Sequence, residues 1–315
     1  MVKNSAALMK QPGKVTWRED WKSNWLLYLI FLIPAAYFII FHYIPIVGIF
    51  MAFQNYKPSK GLFGSKFVGL ENFRELLEGE QFPLAMRNTA CMSVINLLLG
   101  FAVPVILGLL ISQVRSKRMS RTVQTVTYMP YFVSAVVCAT LAQEFFRETG
   151  AITQLLCLFG FDQVNWLSVK SPAFWFINAF LNIWQNAGYG AIVYIAAIAN
   201  ISPDLYEAAT VDGANRWKQL THITIPGIIP ILVMMFTMQI GLMFKTGFDK
   251  VLLIYMPSTY EYSDVLYTYT YRMSFGSTNS FGLSTASGLF QSIISTILLL
   301  VGNKLSRKVA GSSLF

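Results

Sequence analysis

Asn178, Asn182, Gln185 and Tyr189 recur at spacings of four, three and four inside a stretch that is otherwise apolar. At about 100° per residue these positions share one face of a helix. Trp175 lies near that stripe, and Asn186 and Trp184 flank it. Carboxamides donate and accept hydrogen bonds, and aromatic rings present apolar faces. Together they suit the hydroxyls and the apolar side of an uncharged sugar ring. The same residue types also join helices inside a bilayer, so the spacing leaves both uses open. Ser284, Gly288, Gln291 and Ser295 repeat the pattern near the C-terminus, with Ser287 and Ser292 alongside. Small residues on one face point to tight helix packing, which leaves Gln291 as the candidate lining residue there. Asn96, alone among apolar residues, reads as interhelical glue.

Other chemistries find little support. The three cysteines, Cys91, Cys138 and Cys157, lie in or beside apolar stretches without ligand-like spacing, and read as small buried hydrophobes. His42 and His222 are too few and too far apart for a metal cluster or a catalytic triad. No Gly-x-x-x-x-Gly-Lys-Ser/Thr phosphate loop is present, so the chain is not expected to hydrolyse ATP itself. Glu144 and Asp249 fall near helix ends beside Arg147 and Lys250, and are expected to be interfacial and ion-paired.

The elements that carry these residues follow from composition. Of 315 residues, 55% are hydrophobic and 12% charged, and the mean hydropathy is +0.51. Soluble domains carry about 25% charged residues, so most of this surface is expected to face lipid. A membrane-spanning helix needs about 20 apolar residues. Six stretches qualify, approximately Trp25–Phe53, Thr89–Val114, Val123–Phe146, Pro172–Ala199, Gly227–Phe244 and Thr285–Val301. The third is interrupted by Tyr128-Met129-Pro130, and the fifth is polarised by Gln239 and Lys245. The first is too long for a signal peptide and lacks a small-residue cleavage pattern. It reads as an uncleaved anchor.

The net charge of +9 is spread between apolar runs and not gathered on one basic face, which argues for membrane topology over nucleic-acid binding. With the N-terminus in the cytoplasm and sides alternating, fourteen Lys and Arg fall on inner segments and ten on the longer outer ones. The positive-inside bias therefore puts both termini in the cytoplasm. The expected fold is all-α and polytopic, with about six transmembrane helices. A cytoplasmic tail covers 1–24, the first helix 25–53 and an extracytoplasmic loop 54–87. A five-helix core follows over 88–303, and a cytoplasmic tail over 304–315. Tyr255, Tyr260, Tyr262, Tyr267, Tyr269 and Tyr271 cluster in an outer segment, suiting an interfacial belt or a docking surface.

The inner segment 202–226 is the most sharply punctuated part of the chain. Ser202 is a good N-cap, Pro203 suits the first helical position, and Asp204 favours the first turn. Asp212-Gly213 then breaks the helix, with Gly213 able to take a left-handed conformation. A second short helix, roughly Ala214–Thr221, leads to Pro226 at the mouth of the fifth span. Two short helices lying at a membrane surface form a shape that another protein can grip.

Glu207-Ala208-Ala209, Gly213 six residues after Glu207, and Ile225-Pro226 at the end resemble the EAA loop of binding-protein-dependent ABC importer permeases. That pattern usually has Leu before the final Pro, and Ile225 departs from it. Tyr128–Ser134, Phe248-Asp249, Met256–Asp264, Thr268–Arg272 and Gly282–Ser292 resemble the polysaccharide and complex-oligosaccharide branch of the sugar permeases. The resemblance implies a bacterial plasma-membrane heterodimer of two homologous permeases, two cytoplasmic ATPase subunits and an extracytoplasmic sugar-binding protein. It implies no cofactor in this chain, since ATP and Mg would be bound by the ATPase partner, and no nucleic-acid partner.

By the same resemblance the 202–226 loop is a coupling helix. Glu207 would offer a carboxylate to a basic partner residue, and Ala208 and Ala209 would allow close approach. Asp212 and Gly213 would form the turn, while Arg216, Trp217 and Lys218 would line the second helix, which Pro226 closes. The substrate would be an oligosaccharide lined by Asn178, Asn182, Gln185, Asn186, Tyr189 and Gln291. An ion-coupled secondary transporter is the alternative. It would need an ionisable residue within the membrane or broken inverted repeats. A membrane-embedded enzyme would need paired acids or a nucleophile–base set, and a receptor or scaffold would need the loop to bind something other than an ATPase.

Overall fold

The computed structural model describes residues 17–245, 248–276 and 279–310. Lys3, Lys10 and Lys14 of the basic N-terminal cluster lie outside the described residues. Helix α1, Trp17–Phe38, continues through a wide π turn and a tight 3-10 turn to Phe53. It starts eight residues before the expected Trp25, because the aromatics Trp17, Trp21 and Tyr28 stack along it and Tyr28 bonds Asp20. Asn24, with φ −117° and ψ 17°, marks a kink. Among the described residues, those up to Phe50 form one compact unit and those from Met51 a second.

The second unit opens with a two-residue hairpin, β1 (Gln54–Asn55) against β2 (Lys66–Phe67). Helix α2, Glu71–Glu78, follows, and then α3, Gln81–Ser112. Asn72 on α2 donates to the carbonyls of Ala52 and Gln54, which fixes α2 beneath the hairpin. The expected third span is two helices, α4 (Lys117–Tyr128) and α5 (Ala135–Phe146), joined by a 3-10 turn at Met129–Phe132 and bent by 95°. Pro130 and the extended backbone of Val133 and Ser134 make the break, and Ser134 caps α5 by accepting from the Val137 amide.

Helix α6, Ala173–Ala199, packs chiefly against α3. Its 27 residues span about 40 Å. It is nevertheless absent from the helices whose composition is apolar enough to cross a membrane, because the amide stripe lowers its hydropathy. Four helices pass that test, or up to five if the bent pair is one span. Gly188 and Gly190 let neighbours approach α6 closely. A Cβ at Gly188 would stand 1.9 Å from the Thr127 carbonyl oxygen, and one at Gly190 would stand 3.2 Å from Pro104 Cβ.

After α6 come α7, Pro203–Val211, and α8, Arg216–Gln219. Helix α8 passes through a π turn at Leu220–Thr224 directly into α9, Ile225–Leu242. The second arm of the loop and the next span are therefore one helical run, Arg216–Leu242. The stretch after α9 holds α10 (Phe248–Ile254) and α11 (Leu266–Phe275), and α12 (Phe281–Ala310) packs against α9 and α11.

Two apolar cores hold the unit together. One gathers Met92, Ala142, Phe174, Ile177, Leu181, Val251 and Val265, and the other Ala52, Leu76, Phe82, Leu266, Tyr269 and Ala286. Between them the 255–272 stretch is stitched by polar contacts. Asp264, 2% exposed, accepts from Arg272 Nη2 at 2.6 Å and Thr268 Oγ1 at 2.7 Å. Burial pushes the Asp264 carboxyl above its ordinary value, against the opposing pull of Arg272 and Thr268. Arg272 also lies over the Tyr260 ring, and Tyr255, stacked on Tyr260, is pushed up to about 12 by burial.

Candidate functional site

The 202–226 loop folds through local backbone chemistry. Ser202 Oγ accepts from the Asp204 amide at 3.3 Å, capping α7. Gly213 takes φ +75°, and the amides of Asp212, Gly213 and Ala214 close back onto the carbonyls of Ala208, Thr210 and Ala209. Asn215, which the sequence reading placed inside the second helix, is its N-cap and accepts from the Lys218 amide at 2.9 Å. The Asx cap is legible in Asn215-Arg216-Trp217, where the stronger turn signal of Gly213 masks it.

The two arms are tied together. Gln219 Nε2 donates to Thr210 Oγ1 at 3.0 Å, and the Tyr206 and Thr224 hydroxyls pair at 2.9 Å. Glu207, Ala208, Asp212, Gly213, Arg216, Trp217 and Pro226 are exposed, and Ala209 is half-buried. Leu205, Val211 and Trp217 add apolar side chains to the same exposed loop. Arg216 Nη1 reaches the Gln113 carbonyl at the end of α3, beside a polar recess that also holds Arg115, Tyr206 and Gln219.

The amide stripe divides on inspection of its partners. Asn178 is 1% exposed; its Nδ2 faces Met92 Sδ at 3.8 Å and its Oδ1 has no partner among the described residues. Gln185 Nε2 donates to the Val133 carbonyl at 2.6 Å, which fixes the corner of the broken helix against α6. Gln291 Nε2 donates to the Phe244 carbonyl at 2.6 Å. Asn182 Nδ2 donates to Asn96 Oδ1 at 3.3 Å. Asn96 is thus glue, as its isolation implied, but it joins one of the candidate lining residues.

A cavity of about 320 Å³ lies between α3, α6 and the end of α9, and Asn96, Asn182, Asn186, Tyr189 and Gln239 are among the side chains around it. Three of the six expected lining residues, Asn182, Asn186 and Tyr189, therefore share one cavity; Asn178, Gln185 and Gln291 are not among its walls. Tyr189 stacks on Tyr131 with ring centroids 4.0 Å apart and planes 10° from parallel, and both rings are partly exposed. Tyr131 sits inside the motif Tyr128–Ser134 but was not singled out. Buried Gln239 Oε1 has no partner among the described residues.

Of the two expected surface ion pairs one stands corrected. Glu144 and Arg147 pair at 3.1 Å with both side chains more than half exposed. Lys250, by contrast, turns inward. It is 6% exposed and its Nζ donates to Asn182 Oδ1 at 2.6 Å, while Asp249 stays exposed. Sequence reasoning missed this inversion because adjacent residues of a helix point about 100° apart. Only the packing of α10 on its neighbours decides which one goes inside.

Comparison with known proteins places this architecture. Residues 100–311 match the family described as binding-protein-dependent transport system inner membrane component. The polygalacturonan/rhamnogalacturonan transport system permease of Bacillus subtilis is 35% identical over 292 residues, covering 92% of this chain and 90% of that one. The arabinooligosaccharides transport system permease of the same organism is 27% identical over 307 residues, covering 96% and 93%. A solved bacterial alginate ABC transporter, in complex with an alginate pentasaccharide-bound periplasmic protein, contains a chain 37% identical to this one. It superposes with a TM-score of 0.85 over 95% of this chain and 99% of that one. This chain belongs to the binding-protein-dependent transport system inner membrane component family, and is a multi-pass inner-membrane permease subunit of an ABC importer.

Proposed function

We propose that this permease forms one half of a pathway for oligosaccharides or polysaccharide fragments. A second, homologous permease completes the pore, two cytoplasmic ATPases bind ATP and Mg, and an extracytoplasmic binding protein delivers the saccharide. This chain hydrolyses nothing itself. Six membrane crossings with both termini inside fit this reading, with α6 counted as a span whose polar face is turned from lipid. Asn182, Asn186 and Tyr189 contact the sugar, while Gln185, Asn178 and Gln291 hold the wall in place.

One observation carries the reading above all. The helical run Arg216–Leu242 begins in the exposed loop and ends at the cavity, where Gln239 and Leu242 form part of the lining. A protein gripping the loop at Glu207, Trp217 and the Gly213 turn therefore holds one end of a rod whose other end borders the substrate. The test is a mild-detergent pull-down of the tagged chain and its Glu207→Lys variant, read by mass spectrometry. Glu207 is exposed and has no side-chain hydrogen bond among the described residues, so the variant should fold. Recovery of an ATPase and a second permease with the parent, weakened in the variant, is the expected outcome. Recovery of this chain alone in both cases would overturn the assignment.

A further inference from the structure

We infer that the recess between the end of α3 and the start of α8 holds the headgroup phosphate of an anionic phospholipid, whose acyl chain lies along the exposed face of α3. The ligand is a component of the membrane, so the site stands apart from the saccharide pathway.

The recess measures about 350 Å³, and Arg115 and Arg216 both line it, together with Ser112, Gln113 and Gln219. Arg115 lies in the short link between α3 and α4, and Arg216 opens α8. Folding thus brings two arginines from distant parts of the chain to one polar hollow. Both are exposed. Arg216 aims one N–H at the Gln113 carbonyl at 3.4 Å, beyond the usual hydrogen-bond range. Arg115 has no side-chain hydrogen bond among the described residues.

The surroundings supply no anion. Lys117, Arg118 and Arg121 follow Arg115 directly and stand exposed on α4. No acidic residue occurs in the sequence between Glu80 and Glu144. The loop's own carboxylates, Asp204, Glu207 and Asp212, are exposed. None of them, and none of these five cations, belongs to an ion pair among the described residues. A topological signal alone accounts for a basic run beside a spanning helix, but it does not require Arg216 to join Arg115 in the same recess. A phosphodiester matches the site, because the guanidinium fork fits phosphate oxygens two at a time. Basic pockets at the ends of spanning helices hold anionic headgroups in this way.

Helix α3 provides for the tail. Leu99, Ile106 and Leu110 are exposed and, with Gln113, fall on one face of the helix at spacings of seven, four and three. That stripe runs about 21 Å, enough to reach through one leaflet of a hydrocarbon core roughly 30 Å thick. Gln113 belongs to both the stripe and the recess, so the apolar path ends where the arginines begin. Arg216 also starts the helical run Arg216–Leu242. A headgroup shared with Arg115 therefore ties the 202–226 loop to the leaflet on its own side.

The test uses the complex purified through this chain, stripped of lipid in mild detergent and followed by native mass spectrometry. It is titrated with dioleoyl phosphatidylglycerol and, separately, with dioleoyl phosphatidylcholine. The first phosphatidylglycerol should bind about tenfold more tightly than the first phosphatidylcholine. Arg115→Gln should weaken it about fivefold, while Arg115→Lys should keep most of the affinity. Lys304→Gln with Lys308→Gln removes two charges from the end of α12, outside the recess, and should leave binding unchanged. Glycerophosphoglycerol, the headgroup without acyl chains, should bind far more weakly than the whole lipid. Equal binding of the two phospholipids would overturn the proposal, as would parent-like binding by Arg115→Gln. Equal weakening by the α12 pair would reduce the effect to diffuse charge, and equal binding of glycerophosphoglycerol would leave a phosphate site with no lipid. Selectivity seen only after the associated subunits are removed would seat one of them in the recess instead.

Discussion

Replacement of Gly213 separates the geometry of the loop from the stability of the membrane core. Gly213 sits at φ +75°, and a Cβ built there meets nothing within 4 Å. The cost of Gly213→Ala is therefore backbone strain alone, about 1 kcal/mol for a side chain held in the left-handed region. That is roughly a fivefold shift away from the turn. Gly213→Asn should cost less, because Asn tolerates this region. Gly213→Pro cannot reach it, since the ring fixes φ near −65° and removes the amide that bonds the Thr210 carbonyl at 3.1 Å. Uptake by membrane vesicles should fall in the order Gly, Asn, Ala, Pro, with Ala a few-fold down and Pro inactive. The thermal midpoint of the membrane core should barely move, because the turn is exposed and contributes no residue to either apolar cluster. Equal uptake across the series would refute the argument that the turn geometry transmits force. Uptake that merely followed the amount of protein in the membrane would refute it as well.

Two further substitutions probe the scaffold. Gly188→Ala drives a Cβ to 1.9 Å from the Thr127 oxygen and 2.4 Å from its carbonyl carbon, backbone atoms that no rotamer change can move. It should cost about 3 kcal/mol or more and lower the melting point sharply. Gly100→Ala, where the added Cβ has no neighbour within 4 Å, should be neutral or mildly stabilising; equal melting points for the two would show that the α4–α6 crossing is not this tight. Asp264→Asn removes the counter-charge of Arg272 and should destabilise the stretch around α11 by about 2 kcal/mol, below the usual cost of orphaning a buried charge because Arg272 keeps 18% exposure. A thermal melt unchanged from the parent would show that the ring of Tyr260 suffices to hold the guanidinium.

The loop was legible because its shape is set by neighbours in sequence. Ser202-Pro203-Asp204 and Asp212-Gly213 carry their own capping and turn chemistry, and the structure repeats it bond for bond. The amide stripe was legible as a stripe and opaque as a site. Its partners lie 52 to 86 residues away, on Val133, Met92 and Asn96, and no local pattern says which amide meets a backbone carbonyl and which stays open. The broken third span was half visible, since Pro130 marked an interruption but not a 95° bend. Lys250 was hidden for the same reason as the stripe: one turn of α10 decides whether Asp249 or Lys250 faces inward. Periodicity locates faces, and packing assigns them.

In the proposed coupling scheme, the anchoring of α9 at both ends would carry a small movement of the loop to the cavity. At one end the Tyr206–Thr224 and Gln219–Thr210 contacts lock α7 to the start of the rod, so the two arms of the loop move as a body. At the other end the chain just past α9 is held from both sides. The Met243 carbonyl accepts from Ser93 Oγ on α3, and the Phe244 carbonyl accepts from Gln291 on α12, each at 2.6 Å. Between these points Thr237 bonds its own helix through the Val233 carbonyl. A rod of about 40 Å pinned near its far end responds to displacement at its near end by tilting or rotating about the pins. The residues closest to the pins are the ones on the cavity. Rotation there would turn Gln239 and Leu242 relative to Asn182 and Asn186 of α6, which Gln185 ties to the Val133 carbonyl and Asn182 ties to Asn96 of α3. In this scheme Gln291 would serve as a hinge pin, through its bond to the Phe244 carbonyl.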